Sequence, residues 1–120
     1  MPNKEDTNKP GDAITDTIDA TFTNTEIIHA PIAGHGRPSV SNWCVTIFNT
    51  GANSITTFNW KSCAYIGGIA VDDDAINTAI PTIAAGAKKQ IRMNGEAIAE
   101  IRIAMTSTVG TNYSIEVSAN

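Results

Sequence analysis

The sequence predicts an all-β domain, an antiparallel β-sandwich preceded by a flexible N-terminal arm, and three observations lead there. Leucine is missing from all 120 residues while isoleucine and threonine run through the whole chain, the bias of pleated, half-buried strands rather than of helices. Two stretches, 42–60 and 100–117, alternate large apolar with small or polar side chains on either side of a turn, which is the period of a strand with one buried face. The length suits one hydrophobic core of ordinary size, so a single sandwich over 14–120 is expected.

The elements follow in chain order. Residues 1–13, MPNKEDTNKPGDA, are polar, charged and broken by Pro2, Pro10 and Gly11; they offer nothing apolar to bury and are expected to be a free arm. In AITDTIDATFTN, Ile14, Ile18, Ala20 and Phe22 share one parity and make a strand whose flaw is Asp16. TEIIHAPIAGHGRPS then reads as a short extended piece ending in a Gly/Pro loop.

The stretch NWCVTIFNTGANSITTFNW, 42–60, reads as a two-residue hairpin turning at Gly51 and Ala52, with Gly51 taking the positive φ of a type II′ turn. That register sets Trp43 against Trp60, Val45 against Phe58 and Ile47 against Thr56, an aromatic wall for the core. The opposite face carries Cys44, Thr46 and Phe48 against Asn59, Thr57 and Ile55, with Lys61, Cys63 and Tyr65 beyond. It is mixed in polarity, and Phe48, Ile55 and Tyr65 are its candidate protein-contact residues.

Residues 72–87 read as a connection with one short strand, leading into KKQIRMN. Asn94-Gly95 is a hairpin signal. Ile101, Ile103 and Met105, then Tyr113, Ile115 and Val117, alternate so that a second hairpin would set Ile103 on Ile115 and Arg102 on Glu116 as an outward ion pair. Ile98 has the wrong parity for this, which predicts a bulge near 97–100. GEAIAEIRIAM also has helical spacing, but the strand reading satisfies both faces at once.

No catalytic set emerges. In the hairpin register Cys63 lies four residues along from Cys44, about 13 Å at roughly 3.4 Å per residue, beyond the Cα limit near 7 Å for a disulfide; two reduced thiols are expected. His29 and His35 flank PIAG without a cysteine or carboxylate pair at ligand spacing, and Asp72-Asp73-Asp74 lacks the glycine and distal glutamate of a calcium loop. There is no G-x-S-x-G elbow, Walker loop or G-x-G-x-x-G motif. The sequence therefore predicts no enzyme, cofactor or metal.

Charge narrows the partners. A net charge of −4 and a pI near 4.9 argue against bulk nucleic acid and anionic membrane. The N-terminal residues show no apolar signal region and no apolar run is long enough to span a bilayer, so a cytosolic protein is expected until assembly or release. Lys88, Lys89, Arg92 and Arg102 form the basic cluster, with Glu96, Glu100 and Glu116 as expected partners. It reads first as a solvated sheet face and second as a docking patch for an acidic protein, through Lys88, Lys89 and Arg92.

VTIFNTGANSITTFNW, PTIAAGAKKQIRM and AEIRIAMTSTVGTNYSIEVSA share a grammar of strand, N-T-G turn, strand, then A-G-A turn and strand. Over roughly residues 40–120 this resembles the small immunoglobulin-like β-sandwich structural proteins of tailed bacteriophages, in particular capsid decoration or cement proteins. The resemblance implies an immunoglobulin-like or jelly-roll-like sandwich and a non-enzymatic protein assembled in a host cytoplasm onto the outer capsid surface of the virion. Its partners would be the major capsid protein and itself, as a homotrimer, with the arm at 1–13 as a strap. The alternative is an immunoglobulin-like adhesion or carbohydrate-binding module of a phage tail or fibre, which would expose aromatic side chains on a loop or flat face.

Overall fold

The computed structural model describes residues 3–30 and 40–120. In chain order the elements are β1 (Asn3–Asn8), β2 (Ile14–Ile18), β3 (Thr23–His29), β4 (Val40–Asn49), β5 (Thr57–Cys63), β6 (Val71–Asp72), α1 (Asp74–Ala79), β7 (Lys88–Ile98), β8 (Glu100–Thr106) and β9 (Thr111–Ala119). Two sheets result, one of order β1-β3-β8-β5-β6 and one of order β2-β9-β4-β7. They enclose one apolar cluster that includes Trp43, Val45, Ile47, Trp60, Ile101, Ile103, Tyr113 and Ile115. The fold is an all-β sandwich, antiparallel except for the β1–β3 pair. Among the described residues no helix is long and apolar enough to cross a membrane.

The alternation read from the sequence is right, but the pairings are not. β4 and β5 lie in different sheets, so Trp43, Val45 and Ile47 face the core from one side while Phe58 and Trp60 face it from the other. Inward parity looks the same whether two strands are bonded neighbours or stacked across a core. Asn49 directs the crossing: fully buried, its Nδ2 donates to the carbonyls of Asn53 at 2.8 Å and Ile83 at 3.1 Å, and its Oδ1 accepts from the Gly51 amide and the Thr111 hydroxyl. Gly51 serves close packing rather than positive φ, since a Cβ there would stand 2.0 Å from Thr111 Oγ1.

The second expected hairpin is corrected in the same way. β8 pairs with β3 and β5, whereas β9 pairs with β2 and β4. Arg102 accordingly bonds Glu100, and Glu116 stands opposite Thr46 on the outer face of the other sheet. Asn94-Gly95 makes no hairpin: β7 runs through it, with Gly95 at φ +78°. Its register against β4 moves from Asn42↔Asn94 to Val40↔Ile98, so the bulge expected near 97–100 lies between Asn94 and Ile98. It restores Ile98 to the core, and Ala99 then crosses to the other sheet, its amide donating to the Cys63 carbonyl at 3.0 Å.

The N-terminal arm also needs correcting. Asn3–Asn8 pairs in parallel with Thr23–Ile28. A strand can be held by its backbone ladder and polar side chains without burying anything apolar, which composition alone does not register. The Gly/Pro loop expected at 31–39, with His35, lies outside the described residues. The connection at 72–87 carries a short helix: Asp73 caps α1, accepting the Ile76 amide at 3.0 Å.

Candidate contact surface and the networks that hold it

The hairpin joining β5 to β6 exposes apolar side chains where water would be expected to find polar ones. Tyr65 is 72 %, Ile69 86 % and Val71 60 % exposed. A chain that sends nearly every other large apolar group inward has left three on one short connection, the kind of feature that marks a contact site.

That connection is pinned near its middle. Tyr65–Gly68 closes as a turn, the Gly68 amide donating to the Tyr65 carbonyl at 2.9 Å with Gly67 at φ +75°. The Gly67 amide donates to Glu100 Oε1 at 3.1 Å. Glu100 opens β8 and is only 1 % exposed, yet it is fully partnered: Arg102 Nε donates to Oε2 at 2.5 Å, the Cys63 thiol to Oε2 at 3.3 Å, and His29 Nε2 stands 2.8 Å from Oε1. Burial pushes the Glu100 carboxyl up, but hydrogen bonds from Arg102, the Gly67 amide and Cys63 outweigh it, and the group is held below its ordinary range. Beyond β6, Asn77 of α1 accepts the Trp60 amide at 2.7 Å and donates to the Trp60 carbonyl at 3.3 Å. The connection is thus tied at Gly67 to the buried Glu100, and such a tie lowers the ordering cost of binding.

Cys63 is buried beside a carboxylate whose other oxygen meets the His29 imidazole, but the electrostatics do not make it a nucleophile. Burial, then the Glu100 hydrogen bond and charge, push its thiol up. It stays protonated and acts as a donor. Cys44 and Cys63 are both free.

The sequence-derived contact residues do not converge. Ile55 is fully buried and bridges to Ile83. Phe48 lies on the outer face of the β2-β9-β4-β7 sheet, with Lys88 Nζ 4.8 Å from its ring centre. Tyr65 belongs to the other sheet's hairpin. Lys88, Lys89 and Arg92 are all exposed residues of β7, Lys88 and Arg92 on its outer face and Lys89 on the opposite one, whereas Arg102 is drawn away to Glu100.

A second polar network escaped the sequence reading. Where the edge strands β1 and β2 meet, carboxylate oxygens of Asp6, Asp16 and Glu26 lie within 4.8 Å of one another. Lys4 answers them, its Nζ 2.7 and 2.6 Å from the two Asp16 oxygens and 3.6 Å from Asp6. Burial raises the Asp16 carboxyl, but hydrogen bonds from Lys4 and the Thr17 amide bring it below the ordinary value. Glu26 goes the other way: burial dominates over the Tyr113 and Asn8 hydrogen bonds, and Asp6 and Asp16 add repulsion, so its carboxyl is raised. Burial, and then Glu26, push the Tyr113 hydroxyl far up, so it remains a donor. The available signal was Asp16, the one polar residue at an inward position of its strand.

No protein-family model matches the chain, and no curated protein matches it in sequence. Solved structures do share its shape. The pre-peptidase C-terminal domain of a collagenase from Bacillus anthracis superposes with a TM-score of 0.57 at 11% identity, over 98% of both chains. A surface-associated copper-binding protein of Methylomicrobium album BG8 superposes at 0.54 and 8% identity, over 98% of this chain and 100% of that one. The Yersinia pseudotuberculosis-derived mitogen does so at 0.53 and 14% identity, over 91% of this chain and 85% of that one. At such identities the likeness is one of fold, and the fold is a β-sandwich domain.

Proposed function

We propose that the chain is a non-enzymatic structural protein that decorates the outer shell of a virus particle and docks on the major capsid protein through the β5–β6 hairpin. The observation that carries this reading is the exposure of Tyr65, Ile69 and Val71 on a connection tied to the buried Glu100 through the Gly67 amide. A surface whose exposed groups are aliphatic and aromatic gains by removing them from water against another apolar surface. Binding only the assembled shell stabilises that shell by linkage.

The test is quantitative mass spectrometry of purified particles from the producing culture, counting this chain against major capsid protein. Hundreds of copies per particle support the decoration role, and none removes it. Tyr65, an aromatic exposed on a loop, favours a second reading, an adhesion or carbohydrate-binding module. Glycan-array binding that Tyr65→Ala abolishes, together with absence from particles, would select it.

A further inference from the structure

We propose that the free edge of β7 takes up an extended acidic segment of a partner protein as an added strand. β7 ends its sheet, and among the described residues no strand pairs with its other side. At 11 residues it is the longest of the edge strands; β1 has 6, β2 has 5 and β6 has 2. A long unpaired edge presents a row of backbone donors and acceptors, the template on which strand addition works.

Charge selects the occupant. Lys88, Lys89 and Arg92 are three of the 8 lysines and arginines in a chain of net charge −4, so this edge inverts the sign of the molecule locally. The register against β4 places Ile91 and Met93 inward, opposite Val45 and Trp43, and Lys88, Gln90 and Arg92 in a row on the outer face. Gln90 is committed to its neighbours, accepting from Arg92 Nε at 3.0 Å and donating to Thr46 at 3.1 Å. Beside Arg92 lies a shallow cavity of about 270 Å³, lined also by Cys44, Asn94 and Ser118, with room for an approaching side chain.

A second copy's β7 would bring like charges together along the shared edge, which is unfavourable. A strand with acidic side chains facing Lys88 and Arg92 is favoured. Those two residues stand four apart on one face, so the partner's acids must also stand four apart, with a neutral polar residue between them to meet Gln90. The competing reading is an edge charged only to repel other strands.

The probe is a fluorescent ten-residue peptide of alternating valine and threonine with glutamates at positions 4 and 8, and its control with lysines there. Anisotropy at low salt should show the glutamate peptide binding on the order of ten-fold tighter, with the preference reversed by the double variant Lys88→Glu/Arg92→Glu. Amide hydrogen exchange on the full chain should slow within 88–94 and nowhere else. Both substituted residues are exposed, so an unchanged melting temperature confirms that the variant folds. Equal affinity for the two peptides, or protection on β1 or β2 instead, overturns the proposal. Ile69→Asp, which disables the hairpin, should leave peptide binding unchanged, so failure of this proposal is distinct from failure of the capsid reading.

Discussion

The Gly67 amide donates to the Glu100 carboxylate across 3.1 Å, tying one of the most exposed loops of the protein to one of its least exposed charges. Glu100→Ala removes that acceptor and leaves the Cys63 thiol and the Arg102 guanidinium without theirs. Losing hydrogen bonds to a buried charged group should cost about 2–3 kcal/mol. Amide exchange over 65–70 should accelerate, and Cys63 should become reactive to a thiol reagent as its thiol comes down. An unchanged melt with unchanged loop exchange would show that the hairpin keeps its shape without Glu100.

Glu26 and Glu100 are both buried carboxyls shifted in opposite directions, and stability should follow pH accordingly. Glu100 is depressed, so its contribution is present above the ordinary glutamate value of 4.5 and is lost as pH falls through its folded value. Glu26 is raised, so its contribution is complete below 4.5 and is lost as pH rises through its folded value. Glu26→Gln, which cannot ionise, should therefore raise the melting temperature at pH 7 and make little difference at pH 4. A variant less stable than the parent at pH 7 would mean that the Tyr113 and Asn8 hydrogen bonds need the charge.

Trp60 is fully buried and its indole Nε1 has no hydrogen-bond partner among the described residues, as is true of Trp43. Trp60→Ala should cost about 3–5 kcal/mol, the cost of emptying a large core site. Trp60→Phe removes an unpaired N–H together with part of the volume, and the first gain offsets the second loss; about 1 kcal/mol is expected. Equal costs for the two substitutions in urea titrations would place a partner on the indole nitrogen.

The inward set was legible in the sequence because period-2 alternation reports burial directly: Trp43, Val45, Ile47, Phe58, Trp60, Ile101, Ile103, Ile115 and Val117 are all core residues. The strand partners were not legible. Alternation cannot tell a bonded neighbour from a strand stacked across the core, and N-T-G at 49–51 looks like a hairpin turn although Asn49 bends the chain into the opposite sheet. The Glu100 and Lys4–Asp16 networks are assembled from bonded residues as far as 87 positions apart in the chain, and no local pattern announces them. The sequence groups Tyr65 with Phe48 and Ile55, but Tyr65 is exposed beyond β5, Ile55 is buried, and Phe48 belongs to the other sheet.

Gly51→Ala tests the crossing directly. Its Cβ would meet Thr111 Oγ1 at 2.0 Å and the Asn112 backbone nitrogen at 2.6 Å. The hydroxyl could rotate away, but the backbone must move. The substitution should destabilise by about 2–3 kcal/mol, and Thr111→Val alone should not reproduce it. A neutral Gly51→Ala in thermal melts would mean that the β9 backbone yields freely at this point.

Removing residues 1–8 is the test of what β1 contributes. The strand supplies no buried apolar side chain, so a composition argument expects no change. The structure expects two. Asp16 loses Lys4 and Glu26 loses Asn8, leaving both carboxyls with less compensation, and the ladder to β3 is lost; together these should cost about 1–3 kcal/mol. The deletion also turns Thr23–His29 into an open edge, whose free backbone groups can pair with another copy. Light scattering coupled to size exclusion should then show concentration-dependent dimers alongside a lowered melting temperature. Lys4→Ala, which breaks the side-chain tie but keeps the ladder, should lower the melt slightly and stay monomeric. If the truncated chain melts like the parent and remains a monomer, β3 tolerates exposure and β1 is free to leave it for another surface.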